Sequence, residues 1–167
     1  MLEENIKVTG EVLVQLFDKD GNVKDERKIK NLVVTAGKGF IAASMLKTTT
    51  NSPAAMTHMA IGSNSTAAAI GDTTLGGELG RVSLASATNS GAVTTYTASF
   101  PAGTGTGAVV EAGILNASSS GTMLCRTVFS VVNKGSADAM TITWESPSPN
   151  RRTTCPPSLY ATPKAHR

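Results

Sequence analysis

Five groups of residues in this 167-residue chain are of types that can do chemistry. Ala36-Gly37-Lys38-Gly39 invites comparison with a phosphate-binding loop. Such a loop needs a Gly five positions before the Gly-Lys pair and a Ser or Thr after the Lys, so that backbone N–H groups and a hydroxyl converge on phosphate and its metal. Leu32 and Gly39 hold those positions, so the segment reads as a strand-to-helix turn. Asp18-Lys19-Asp20-Gly21-Asn22 opens like a calcium loop, but its Gly is misplaced and Ile29 stands where the bidentate Glu belongs. It reads as a hairpin turn. His58 and His166 have no Cys or carboxylate at ligand spacing. His58 is expected to be a hydrogen-bonded strand residue or, in a trimer, a ligand on the symmetry axis.

The last two groups are charge pairs, Glu78 with Arg81 and Glu111 with Arg126. Both read as structural ion pairs, the second formed across strands, because neither acid has a second carboxylate or a nucleophile to work with. No Gly-x-Ser-x-Gly elbow occurs among the many Ser and Thr. The expectation is therefore no catalytic residue, no metal and no cofactor: a protein that is not an enzyme.

The elements that must position these groups are mostly strands. Ile6–Phe17 alternates well enough for a strand with one buried face, and the polar return Asn22–Lys30 reads as an exposed edge strand. Gly37–Lys47 is the helix candidate, with Phe40, Ile41, Ser44 and Met45 near one face and Thr35 as its cap. Thr57–Ile61 reads as a short buried strand, followed by a long loop of small residues, Gly62–Leu75. Gly80–Ala85, Val93–Phe100, Val109–Leu115, Met123–Val132 and Met140–Glu145 complete the strand set. Their spacing predicts an all-β fold, an antiparallel β-sandwich of jelly-roll type with one short helix. Trp144 is expected in its core.

Residues 1–145 form the expected sandwich domain and residues 146–167 a Pro-rich basic arm. That arm holds five of the seven prolines and, in Arg151, Arg152, Lys164 and Arg167, four cations with no acid. The other 145 residues carry 11 basic and 12 acidic side chains and sum to −1, so the basic character lies in the arm. The body lacks the basic stripe with aromatic platforms that nucleic-acid binding needs, and nucleic acid is not an expected partner. No apolar run reaches the length of a membrane helix, and no membrane contact is expected. Cys125 reads as a small buried hydrophobe and Cys155 lies in the arm; spacing leaves open whether they pair.

Several motifs recur in a telling order: Asn31–Lys38 (NLVVTAGK), Met56–Gly62 (MTHMAIG), Thr74–Arg81 (TLGGELGR), Glu111–Asn116 (EAGILN), Gly121–Phe129 (GTMLCRTVF) and Met140–Trp144 (MTITW). The series, spanning roughly residues 30–145, resembles a domain of tailed-bacteriophage virion proteins. That family includes capsid decoration or cement proteins and the attachment regions at the start of tail fibres. The resemblance implies a virion structural protein, made in the host cytoplasm, that decorates and stabilises the capsid by bridging major capsid protein subunits as a homotrimer. A tail-fibre or tail adaptor is the alternative it implies. The chain has no repeats, collagen-like tract or heptads of a fibre shaft, which favours decoration. In this reading Arg151, Arg152, Lys164 and Arg167 are the cations of an assembly arm that reaches neighbouring subunits.

Overall fold

The computed structural model describes residues 9–45 and 52–146. Its first strand, β1 (Gly10–Phe17), keeps strict alternation: Val12, Val14 and Leu16 are buried, while Glu11, Leu13 and Gln15 face out. A pleated strand exposes successive side chains on opposite faces, so this pattern alone assigns a core face. Asp18 then closes the turn, its Oδ1 accepting the Asp20 and Asn22 N–H groups at 2.9 and 2.8 Å. Gly21 supplies the positive φ of 84° that the turn requires.

The return strand β2 (Val23–Val33) corrects the edge-strand expectation in part. It pairs with β1 through Asn31, then its last two residues, Leu32 and Val33, pair with Arg126 and Cys125 of β8 (Met123–Lys134). The sequence pattern predicts a strand that ends at Lys30, before this apolar end. The helix α1 (Thr35–Ser44) starts two residues earlier than expected, and Thr35 lies inside it rather than capping it. The N-cap position is Val34, which has no side-chain acceptor. Gly37 is needed here, because a Cβ would collide with the Leu124 carbonyl of β8. Phe40 and Ile41 pack from the helix onto the core.

The remaining strands are β3 (His58–Gly62), β4 (Glu78–Ser83), β5 (Ser86–Ser90), β6 (Val93–Phe100), β7 (Gly107–Leu115), β8 and β9 (Ala139–Ser146). They join in one antiparallel sheet of order β4-β3-β7-β8-β2-β1-β9-β6-β5, curled into a half-barrel. The all-β expectation holds. The two outermost strands are consecutive in the chain, and the corner between them touches both ends of the sheet. There the Leu84 N–H donates to Thr57 O at 2.9 Å, beside β3, and the Ala85 N–H donates to Thr97 O of β6 at 2.8 Å.

Curling lets one core draw on distant strands. Val12, Ile61, Phe100, Ile114, Phe129, Ile142 and Trp144 belong to a single buried cluster, with Trp144 fully buried as expected. Deleting a buried aromatic of this kind costs about 3–5 kcal/mol through lost transfer energy and the cavity left behind. A second cluster, Val34, Ala60, Leu75, Leu115 and Met123, lies on the opposite face of the sheet. The faces follow from alternation: Met59 and Ile61 join the first cluster while Ala60 joins the second, as Leu115 does after Ile114. β7 is buried on both faces from Val109 to Leu115, so its sequence does not alternate.

Candidate functional site

The outer face of β7 and β8 carries the most heavily buried charge. Glu111 comes from β7 and Arg126 from β8, and their side chains are 0% and 4% exposed. Gly62 of β3 stands opposite Glu111, and a Cβ there would collide with the Glu111 carboxylate and the Gly77 carbonyl. The glycine opens the space through which Glu111 lies across β3.

Over this pair runs the segment between β3 and β4, and the pair holds it in place. Glu111 Oε1 accepts the N–H groups of Gly77 at 2.8 Å and Asn64 at 3.2 Å; Oε2 accepts that of Gly76 at 3.1 Å. Arg126 donates to Oε2 through Nε at 2.9 Å and lies 2.8 Å from it through Nη2. It also donates through Nη1 to Asp72 at 2.7 Å and through Nη2 to the Thr66 carbonyl at 3.1 Å. Both ends and the middle of the loop are thus tied to two side chains of the sheet.

The electrostatics favour the charged forms of Arg126 and Asp72. Burial pulls the Arg126 guanidinium down, but hydrogen bonds and charge from Asp72 and Glu111 outweigh it and carry its pKa above the ordinary value. Burial pushes the Asp72 carboxyl up; the Ala69 N–H and Arg126 outweigh that and hold it below the usual carboxylate value. A buried ion pair survives only when its remaining lone pairs and protons are satisfied. Here the satisfying groups are the protein's own backbone and the Asp72 carboxylate. Such a carboxylate is poorly placed to take a proton from a substrate.

No family model, curated protein or solved structure matches the chain.

Two further clamps repeat the pattern. Glu78 and Arg81 pair as expected, with contacts of 3.0 and 2.6 Å, and Arg81 Nη1 donates to the Ala117 and Ser120 carbonyls at 3.0 Å. This fixes the turn between β7 and β8, where Ser120 is held at a φ of 53°. Lys134 is almost fully buried, and its Nζ donates to the Pro101 and Asp138 carbonyls at 2.9 and 2.7 Å. Burial lowers its pKa, with the Asp138 charge acting against that. Lys24 and the Gly135 N–H hold the Asp138 carboxyl below its usual value. Lys134 ties the loop after β6 to the turn before β9.

The other sequence candidates fall apart from one another. His58 is half-buried and sits between hydroxyls, with Nδ1 2.8 Å from Thr57 Oγ1 and Nε2 3.4 Å from Ser83 Oγ, which is the hydrogen-bonded strand role expected. Among the described residues no group of three His, Cys, Asp or Glu gathers at metal-binding distance. Cys125 lies in the core, where burial pushes its thiol pKa far up; Cys155 lies outside the described residues. So do Arg151, Arg152, Lys164 and Arg167. No helix among the described residues is long and apolar enough to cross a membrane.

Sequence reading missed Asp72, Lys134 and the closing role of the β3–β4 segment. Asp72 carried a signal: it is the one charged residue between Gly62 and Leu75. A single acid in an otherwise neutral loop has to be solvated or paired.

Proposed function

We propose that this chain is a non-enzymatic structural subunit of a tailed-phage particle, which decorates the capsid and stabilises it by bridging major capsid protein subunits. The ordered motif series supports the phage setting, and the clamps support the structural role. Glu111, Arg126, Glu78 and Arg81, four of the five charged residues of that series, spend their hydrogen bonds on one another and on the protein's own loops. The observation that carries the reading is the Glu111–Arg126–Asp72 network, which pins a long loop of small residues over the outer face of the sheet.

Pinning matters for a cement protein. A preformed surface loses less conformational entropy on binding than a loop ordered at that moment. A subunit that binds only the assembled shell raises the shell's stability by linkage, and repetition by symmetry adds avidity to weak contacts. The proposed subunit is a homotrimer, and the cations Arg151, Arg152, Lys164 and Arg167 form its arm toward acidic capsid surface. In this reading the curled sheet is a jelly-roll-like sandwich. The passage of β2 from β1 to β8 and the Leu84–Ala85 corner support that view, since each joins the two halves of the sheet.

Adding the purified protein to capsid shells that lack it tests the proposal. Saturable binding with a rise in shell melting temperature supports decoration. Binding to isolated tails but not to shells supports the tail-adaptor alternative, and binding to neither removes both.

A further inference from the structure

The sheet ends at β5, and this edge differs from its counterpart. β4 at the opposite end carries the Glu78–Arg81 ion pair, the kind of charge that discourages unwanted strand pairing. β5 reads Ser86-Ala87-Thr88-Asn89-Ser90, with no charge, proline or glycine. All five residues are exposed, so neither face of the strand is covered, and among the described residues only β6 pairs with it. A strand exposed on both faces gains little from its own domain. Natural edges without protective devices are templates for another strand.

We propose that β5 is a self-association surface, pairing antiparallel with β5 of a second copy of this chain about a two-fold axis at Thr88. The five residues form a near-palindrome, which selects a second copy over a foreign strand. In a two-fold antiparallel pairing, residue i meets j and j meets i. Ser86 then meets Ser90 of the other copy, Ala87 meets Asn89, and Thr88 meets Thr88. A Thr–Thr pair is a favourable cross-strand neighbour, and no like charges oppose one another. Beside them on β6, Thr95 and Thr97 stand opposite Thr88 and Ser86, so the flank of the junction is uncharged as well. The near-neutral body adds little long-range repulsion between copies. This inference stands independently of the phage reading. A two-fold β5 contact makes a dimer by itself and joins two trimers into a hexamer where a trimer forms through another surface.

Two variants of the full chain test it. Thr88→Lys places a charge against its own copy across the axis; sedimentation equilibrium is expected to show its assembly mass halved relative to the unmodified chain, with an unchanged circular dichroism spectrum. Thr88→Cys, made with Cys155→Ser, is read by disulfide formation under mild oxidation. Directly opposed antiparallel residues lie about 4.5–5.5 Å apart at Cα, inside the range a disulfide bridges. It should cross-link to a dimer at least tenfold faster than Ser99→Cys, an exposed control on β6, in the same background. A mass unaffected by a folded Thr88→Lys protein, or cross-linking no faster than the control, overturns the proposal. If Thr88→Lys fails to fold, the cross-linking rate decides alone.

Discussion

Glu111 and Arg126 are diagonal rather than direct partners in the β7–β8 ladder. Glu111 stands opposite Val128, and Arg126 stands opposite Gly113. The diagonal suits their lengths, for side chains two residues out of register are within reach of long groups. Gly62 presents no side chain beside the carboxylate, whereas a Cβ on Gly113 would meet Leu75, Met123 and the Cys125 carbonyl. One glycine thus makes room for the ion pair, and the ion pair holds a loop.

Glu111→Gln is expected to destabilise the fold by about 3 kcal/mol, because removing its charge leaves the buried Arg126 with only the partly exposed Asp72 as counter-charge. The Gln NH₂ would also face N–H donors that the carboxylate now accepts. Urea unfolding measures the loss. Hydrogen exchange at Asn64, Gly76 and Gly77 localises it, with protection falling there first.

Asp72→Asn is the milder test, since its side chain is 23% exposed; the expected cost is about 1 kcal/mol. Its pH dependence has a definite sign. The folded-state pKa lies below the ordinary value, so Asp72 contributes fully above the unfolded-state pKa and the contribution disappears as pH falls through the folded one. Stability of the unmodified protein should therefore drop more steeply below about pH 4 than that of Asp72→Asn. Parallel acid titration curves for the two proteins would contradict this.

Lys134→Met retains the aliphatic bulk and removes the donor. The Pro101 and Asp138 carbonyls lose their ammonium partner in a buried setting, at a cost of about 1–3 kcal/mol. Thermal unfolding measures it. A more stable variant would mean that desolvating the ammonium outweighs its two hydrogen bonds.

How much of this was legible depends on what each strand faces. β1 and β9 alternate because one face meets the core and the other water, so Val12 and Trp144 could be placed from sequence. β7 could be found only as a buried run, because both of its faces are covered. β5 left no mark at all: Ser86–Ser90 buries nothing, and burial is what writes periodicity into a strand. The two Glu–Arg pairs were legible from their charges amid small residues. Their purpose was not, since backbone N–H groups of residues 64, 76 and 77 do most of the work on Glu111 and have no signature in residue type.

The arm is separable from the fold on this account. β9 runs through Ser146, whose side chain is buried, so the domain reaches one residue beyond the boundary read from sequence. A chain ending at Ser146 should keep its unfolding midpoint within a few degrees of the full chain. It should also lose the salt-sensitive part of its shell binding. Full binding with an unchanged salt dependence would remove Arg151, Arg152, Lys164 and Arg167 from the interface.

Subunit copy number in purified virions, measured by quantitative mass spectrometry against the major capsid protein, tests the central proposal most directly. Capsid decoration predicts hundreds of copies in a simple ratio to the shell protein. About a dozen copies would place the chain in the tail and contradict capsid decoration, and absence from the particle would contradict a virion role altogether.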